Sequence, residues 1–176
     1  FSQVDTLKGT KPEKFVTKHS VKIEGKVINY TATVGTLILR NEKDEPIAAF
    51  GYTAYTKDGE TDLSKRPITF SYNGGPGSSS MWLHMGVMGP RRVVVNDPQP
   101  NGPAPYRIED NNYSILDVSD VVMMDPVGTG LSRAVGKAKN TDFWGVDPDI
   151  RSVSQFIKNY VTQNVKAHSE IIHEDF

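Results

Sequence analysis

Pro67-Ile68-Thr69-Phe70-Ser71-Tyr72-Asn73-Gly74-Gly75-Pro76-Gly77-Ser78-Ser79-Ser80 is the stretch on which the fold turns. Its first six residues are a short apolar run rich in β-favouring types, which reads as a strand. The next eight cannot continue it. Three glycines around one proline favour neither helix nor strand, so the segment is a tight loop of fixed shape at a strand's C-terminal end. Glycine lets another molecule approach the backbone closely, and the N–H groups of Gly74, Gly75 and Gly77 converge there. Such a set of donors suits negative charge: a phosphate, a carboxylate, or the oxyanion of an acyl-transfer intermediate.

A second strand with the same ending lies downstream. Asp120-Val121-Val122-Met123-Met124-Asp125 is almost continuously apolar, as in a strand buried on both faces. It runs into Pro126-Val127-Gly128-Thr129-Gly130. Upstream, Val21, Ile23, Val27, Tyr30, Ala32 and Val34 alternate around a turn at Gly25, and Thr36 to Leu39 reads as a third strand. Asn41 to Glu45 is a polar turn, and Ile47 to Thr56 resumes a β pattern up to the turn at Lys57 to Glu60. Asp147-Pro148 reads as an N-cap acid with proline at the first helical position. Ile150, Val153, Phe156, Ile157, Tyr160 and Val161 follow at helical spacing. Antiparallel strands followed by strand–loop–strand–helix predict an α/β domain. Residues 1–14 read as a polar arm and 15–176 as the domain.

The totals narrow the function. In 176 residues with a net charge of −1 there is no basic footprint for nucleic acid. No apolar run reaches the roughly 18 residues that span a bilayer. Cysteine is absent, so no disulfide, thiolate nucleophile or Cys-ligated zinc is expected, and the four histidines lack a metal spacing. No lysine follows the first loop in the P-loop pattern, and Gly128-Thr129-Gly130 lacks the third glycine of a dinucleotide fingerprint. A carboxylate, an oxyanion, or turns with a purely structural role remain.

The block Arg66 to Ser80 resembles the signature of the serine carboxypeptidase family. Gly89-Pro90-Arg91 and Asp120 to Ser132 resemble later blocks in the same order, and Phe143 to Ser169 looks like the helix that follows. The resemblance implies the N-terminal portion of an α/β-hydrolase fold, with a mixed sheet passing from mostly antiparallel to parallel and flanking helices. It implies a serine-type peptidase that releases C-terminal residues, acting on peptides with a free terminal carboxylate and using no cofactor or metal. By the same resemblance Gly75 supplies an oxyanion N–H, and Asn73 with Gly74 holds the substrate carboxylate. Trp82 and Leu83 lie near the leaving residue's pocket. Ser78 stands where many relatives carry cysteine, and Ser71-Tyr72 where they carry Trp-Leu, which leans to a disulfide-free, bacterial-type branch. The family resemblance also implies a secreted or periplasmic place.

The family's next element is a Gly-x-Ser-x-Gly nucleophile elbow, and no such motif occurs in these residues. Gly130-Leu131-Ser132-Arg133-Ala134 comes nearest, and Ser132 reads as a loop hydroxyl. Asp125 reads as structural. The expectation is therefore the oxyanion and carboxylate-binding half of the site without the attacking half, inactive alone. A truncated inactive relative, a module that binds peptide C-termini, and an acyl transferase or esterase on the same scaffold stand as alternatives. An isolated sheet of this kind is expected to be marginal, to self-associate, or to need a second chain or a missing C-terminal part.

Overall fold

The computed structural model describes residues 10–74, 77–95 and 103–164. Strands β1 (Lys14–Ile23) and β2 (Lys26–Arg40) form a long antiparallel hairpin closed by Glu24 and Gly25, both at positive φ. A two-residue turn of that conformation matches the right-handed twist of the flanking strands. β3 (Pro46–Lys57) returns along β2. Asn41 shapes the turn between them, its Oδ1 accepting the Lys43 and Glu45 N–H groups.

The pairing then jumps. β7 (Asp120–Met124) lies antiparallel to β3, and β4 (Ile68–Ser71) lies parallel to β7, giving the order β1-β2-β3-β7-β4. A two-residue β8 (Arg133–Ala134) joins β3, and β5 (Arg91–Val93) with β6 (Ile108–Asp110) makes a separate ribbon. The sheet is thus mixed, antiparallel on one side and parallel on the other, as the sequence predicts.

Register divides the side chains between two faces. Leu37 pairs with Phe50, Leu39 with Ala48, Tyr52 with Met124 and Ala54 with Val122, so all eight share one face. Helix α2 (Val146–Asn164) covers it. Phe156 is fully buried and stacks on Phe50 at 4.6 Å between ring centroids, while Tyr160 meets Tyr52 and Phe70 edge-on. On the opposite face, Val21, Ile23, Ile28, Tyr30 and Leu116 form a second cluster that Tyr55 joins. There sits α1 (Met81–Leu83), continuing into a π-helical turn over His84–Met88. Buried Asn111 holds that turn, donating from Nδ2 to the Val87 and Gly89 carbonyls at 2.8 Å each.

The starts of β4 and β7 are locked by a buried ion pair. Arg66 Nε donates to Asp120 Oδ1 at 2.7 Å, and its Nη2 donates to the Leu116 carbonyl. The same carboxylate oxygen accepts the Lys57 N–H. Every remaining lone pair or donor that is filled lowers the cost of burying the two charges.

Several boundaries differ from the sequence reading. β1 begins at Lys14, ahead of the alternation that starts at Val21, because residues 14–20 are exposed on both faces and carry no apolar pattern to mark them. Thr36 to Leu39 is not a separate strand but the end of β2. Gly35, which invites a break, lies mid-strand because a Cβ there would stand 2.7 Å from the Glu13 carbonyl and 3.0 Å from the Tyr52 hydroxyl. α2 starts at Val146, with the Gly145 carbonyl accepting the Asp149 N–H, so Asp147 lies within the first turn rather than at the cap. Ile150, assigned to the apolar stripe, is exposed, whereas Val153, Phe156 and Tyr160 face the sheet.

Phe156 is the central contact between helix and sheet. Replacing it with alanine is expected to cost about 3–5 kcal/mol, as large-to-small changes in buried aromatics do, measured by urea denaturation.

Candidate functional site

Because β4 and β7 are parallel neighbours, both polypeptide turns leave the sheet at the same end. Ligand sites in such sheets form outside the strands' carboxyl ends. One wall of the resulting cleft, about 590 Å³ in volume, is Tyr72, Asn73, Gly74, Gly77 and Ser78. The facing wall runs from Pro126 to Thr129, and Phe143 to Val146 with Asp149 close it from the start of α2.

Asp125, at the end of β7, fastens the two turns together. Its Oδ1 accepts the Ser80 N–H at 2.9 Å and the Ser80 hydroxyl at 2.8 Å. Its Oδ2 accepts the Leu131 N–H at 3.0 Å. Only glycine can follow such a carboxylate at position 130: a Cβ there would stand 2.0 Å from Oδ2, and φ is +45°. Asp125 is therefore structural, as the sequence suggests.

Ser132 is equally committed. Its buried hydroxyl donates to the Asp125 carbonyl at 2.5 Å and accepts the Gly51 N–H at 2.7 Å. Both roles of the hydroxyl go to backbone groups, and no base lies among its partners. It ties the second turn to β3 and has no nucleophile's environment.

The carboxylate-binding residues expected from the sequence take up distinct positions. Asn73 and Gly74 both line the cleft. Asn73 is half-buried, and its Nδ2 donates one bond to the Gly74 carbonyl at 3.0 Å. That amide nitrogen carries two donors. Gly75 lies outside the described residues. Trp82 is 68% exposed and Leu83 half-buried, and neither lines the cleft. α1 carries them on the opposite face of the sheet from α2.

Sequence reasoning did not single out Tyr72, Trp144 or Asp149 as cleft residues. Tyr72 was grouped with its strand, and Trp144 with a helix running from Phe143, whereas α2 begins only at Val146. Phe143 is buried in the main core, and a single step along the extended backbone places Trp144 outward.

Beneath the first turn, Tyr55 and the partly buried His84 meet, hydroxyl to Nε2 at 2.5 Å. Burial pushes the Tyr55 hydroxyl up to about 12, so it keeps its proton across the neutral range. A protonated hydroxyl donates to Nε2 or accepts from it according to the imidazole's tautomer. Burial also holds His84 below its ordinary value near 6.5, against a smaller opposite pull from Asp125.

Comparison with known proteins gives the family. A model of the serine carboxypeptidase family matches residues 41–176. The chain belongs to the serine carboxypeptidase family. No curated protein matches it. Among solved structures it is similar to Kex1Δp, a prohormone-processing carboxypeptidase from Saccharomyces cerevisiae, at 20% identity and a TM-score of 0.48. The match covers 88% of this chain and 28% of that one.

The depressed His84 pKa makes stability depend on pH. As pH falls, the unfolded chain takes up a proton near 6.5 while the folded one resists, so stability is lost on the acid side. Urea midpoints are expected to fall as pH drops below about 6.5, and His84→Leu should lack that component of the acid arm.

Proposed function

We propose that these residues form the carboxylate-binding and oxyanion-stabilising part of a serine-type carboxypeptidase, which releases single residues from peptide C-termini. The observation that carries this reading is that Asn73 and Gly74 face a cleft between two glycine-rich turns at the carboxyl ends of parallel strands. Family membership supports it.

In this reading the second donor of Asn73 Nδ2, with the Gly74 N–H, receives the substrate's terminal carboxylate. A half-buried amide satisfied by a carboxylate is left unpaired by a mid-chain peptide, which explains a preference for chain ends. Gly75 would donate its N–H to the oxyanion that develops when the scissile carbonyl is attacked. One such donor is worth about 10²–10³-fold in rate. No Gly-x-Ser-x-Gly nucleophile elbow occurs within these 176 residues. The chain on its own is accordingly a binder of peptide acids rather than a working hydrolase. Trp82 and Leu83, which do not line the cleft, take no part in this proposal.

Calorimetry with N-acetyl-Gly-Ala and its amide tests this. The acid is expected to bind at least about tenfold more tightly, a charge-assisted hydrogen bond being worth about 1.5–3 kcal/mol. Asn73→Ala should remove most of that gap. Equal binding of acid and amide, or no binding, contradicts the proposal. Turnover of a blocked dipeptide that Ser132→Ala abolishes would contradict both the proposal and the structural role given to Ser132.

A further inference from the structure

The cleft holds more than carboxylate donors. Trp144 is 64% exposed and Tyr72 is 47% exposed, yet both line the same cavity as Asn73. A large aromatic left open to water is ordinary when it stands alone on a convex surface, and informative when two of them border one concavity.

Trp144 is also held in place. Phe143 anchors the preceding residue in the core, the Trp144 N–H donates to the Thr141 carbonyl, and Gly145 at φ +110° turns the chain into α2 directly afterwards. The indole lies against the second turn. Its Nε1 stands 3.4 Å from where a Cβ on Gly128 would be, so a glycine at 128 lets the ring settle onto the turn's backbone. Among the described residues it makes no ring contact with another aromatic side chain. The backbone on both sides of Trp144 is thus held, and the exposed indole borders the cleft beside the second turn.

Resting on the reading of Asn73 and Gly74 above, we propose that Trp144, with Tyr72 across the cleft, is a specificity-determining shelf for an aromatic side chain near the C-terminus of the bound peptide. Three features select that occupant. The volume, about 590 Å³, suits a dipeptide-sized ligand rather than a helix or a second protein. Two aromatic faces favour a planar partner through stacked or edge-on contact. The carboxylate in the cleft, Asp149, lies in the first turn of α2, where the helix N-terminus offsets its charge, so it does not by itself call for a basic side chain.

Four probes separate the possibilities: N-acetyl-Gly-Phe, its amide, N-acetyl-Gly-Ala and N-acetyl-Gly-Lys. With the 176-residue chain, Phe is expected to bind about tenfold more tightly than Ala, from ring burial and stacking on one face. Trp144→Ala should reduce that ratio to below about threefold while leaving the acid-to-amide ratio intact, and Trp144→Phe should retain about half of the logarithm of the preference. Thermal melts of both variants check that the exposed position is not needed for folding. If the acid-to-amide ratio persists but the Phe-to-Ala ratio is the same in Trp144→Ala, the shelf is refuted and the carboxylate site stands. Preference for Lys over Phe also refutes it. If acid and amide bind alike while the aromatic preference still depends on Trp144, the shelf stands and the carboxylate site fails. No binding of any probe refutes both.

Discussion

The cleft exists because one carboxylate is shared between two turns. Parallel pairing brings β4 and β7 side by side, but pairing alone leaves two glycine-rich segments free to splay apart. Asp125 prevents that by accepting from Ser80 on one turn and Leu131 on the other, with each oxygen assigned to one side. Charge-assisted bonds to backbone N–H groups are shorter and about twice as strong as neutral ones, which suits a joint that must hold a defined width. Ser132 extends the joint to β3 through Gly51. The second glycine-rich turn is therefore fixed to the sheet at two points, and the cavity beside it inherits that rigidity.

The two faces of the sheet serve this joint differently. α2 packs Phe156 and Tyr160 onto the core, and its first turn forms the floor of the cleft. On the other face, Tyr55 and Asn111 seat the π-helical turn that follows Ser80. The first glycine-rich loop is thus anchored at its entrance by β4 and at its exit by Ser80 and His84.

Much of this was legible from sequence, and the exceptions have physical causes. The strand-to-glycine transitions at Tyr72–Asn73 and Asp125–Pro126 marked the cleft because apolar runs ending in glycine have few other readings. β7 was recognisable because all five of its residues are buried. β1 was shortened in the reading because its first half is exposed on both faces and carries no periodic signal. Thr36 to Leu39 was read apart from β2 because the Tyr52 ring and Glu13 carbonyl that crowd Gly35 and hold it mid-strand leave no mark in the sequence. Trp144 was missed for a related reason. Neither hydropathy nor spacing says which of Phe143 and Trp144 turns inward, and that choice decides whether the residue belongs to the core or to the cleft.

The most direct test of the joint is amide hydrogen exchange by NMR on the wild-type chain and on Asp125→Ala. The account predicts that the Ser80 and Leu131 amides speed up together in the variant, because both lose the same acceptor, while amides in the middle of α2 around Phe156 keep their protection. If only one of the two speeds up, or neither does, Asp125 does not couple the turns, and the cleft's width must be set by some other contact.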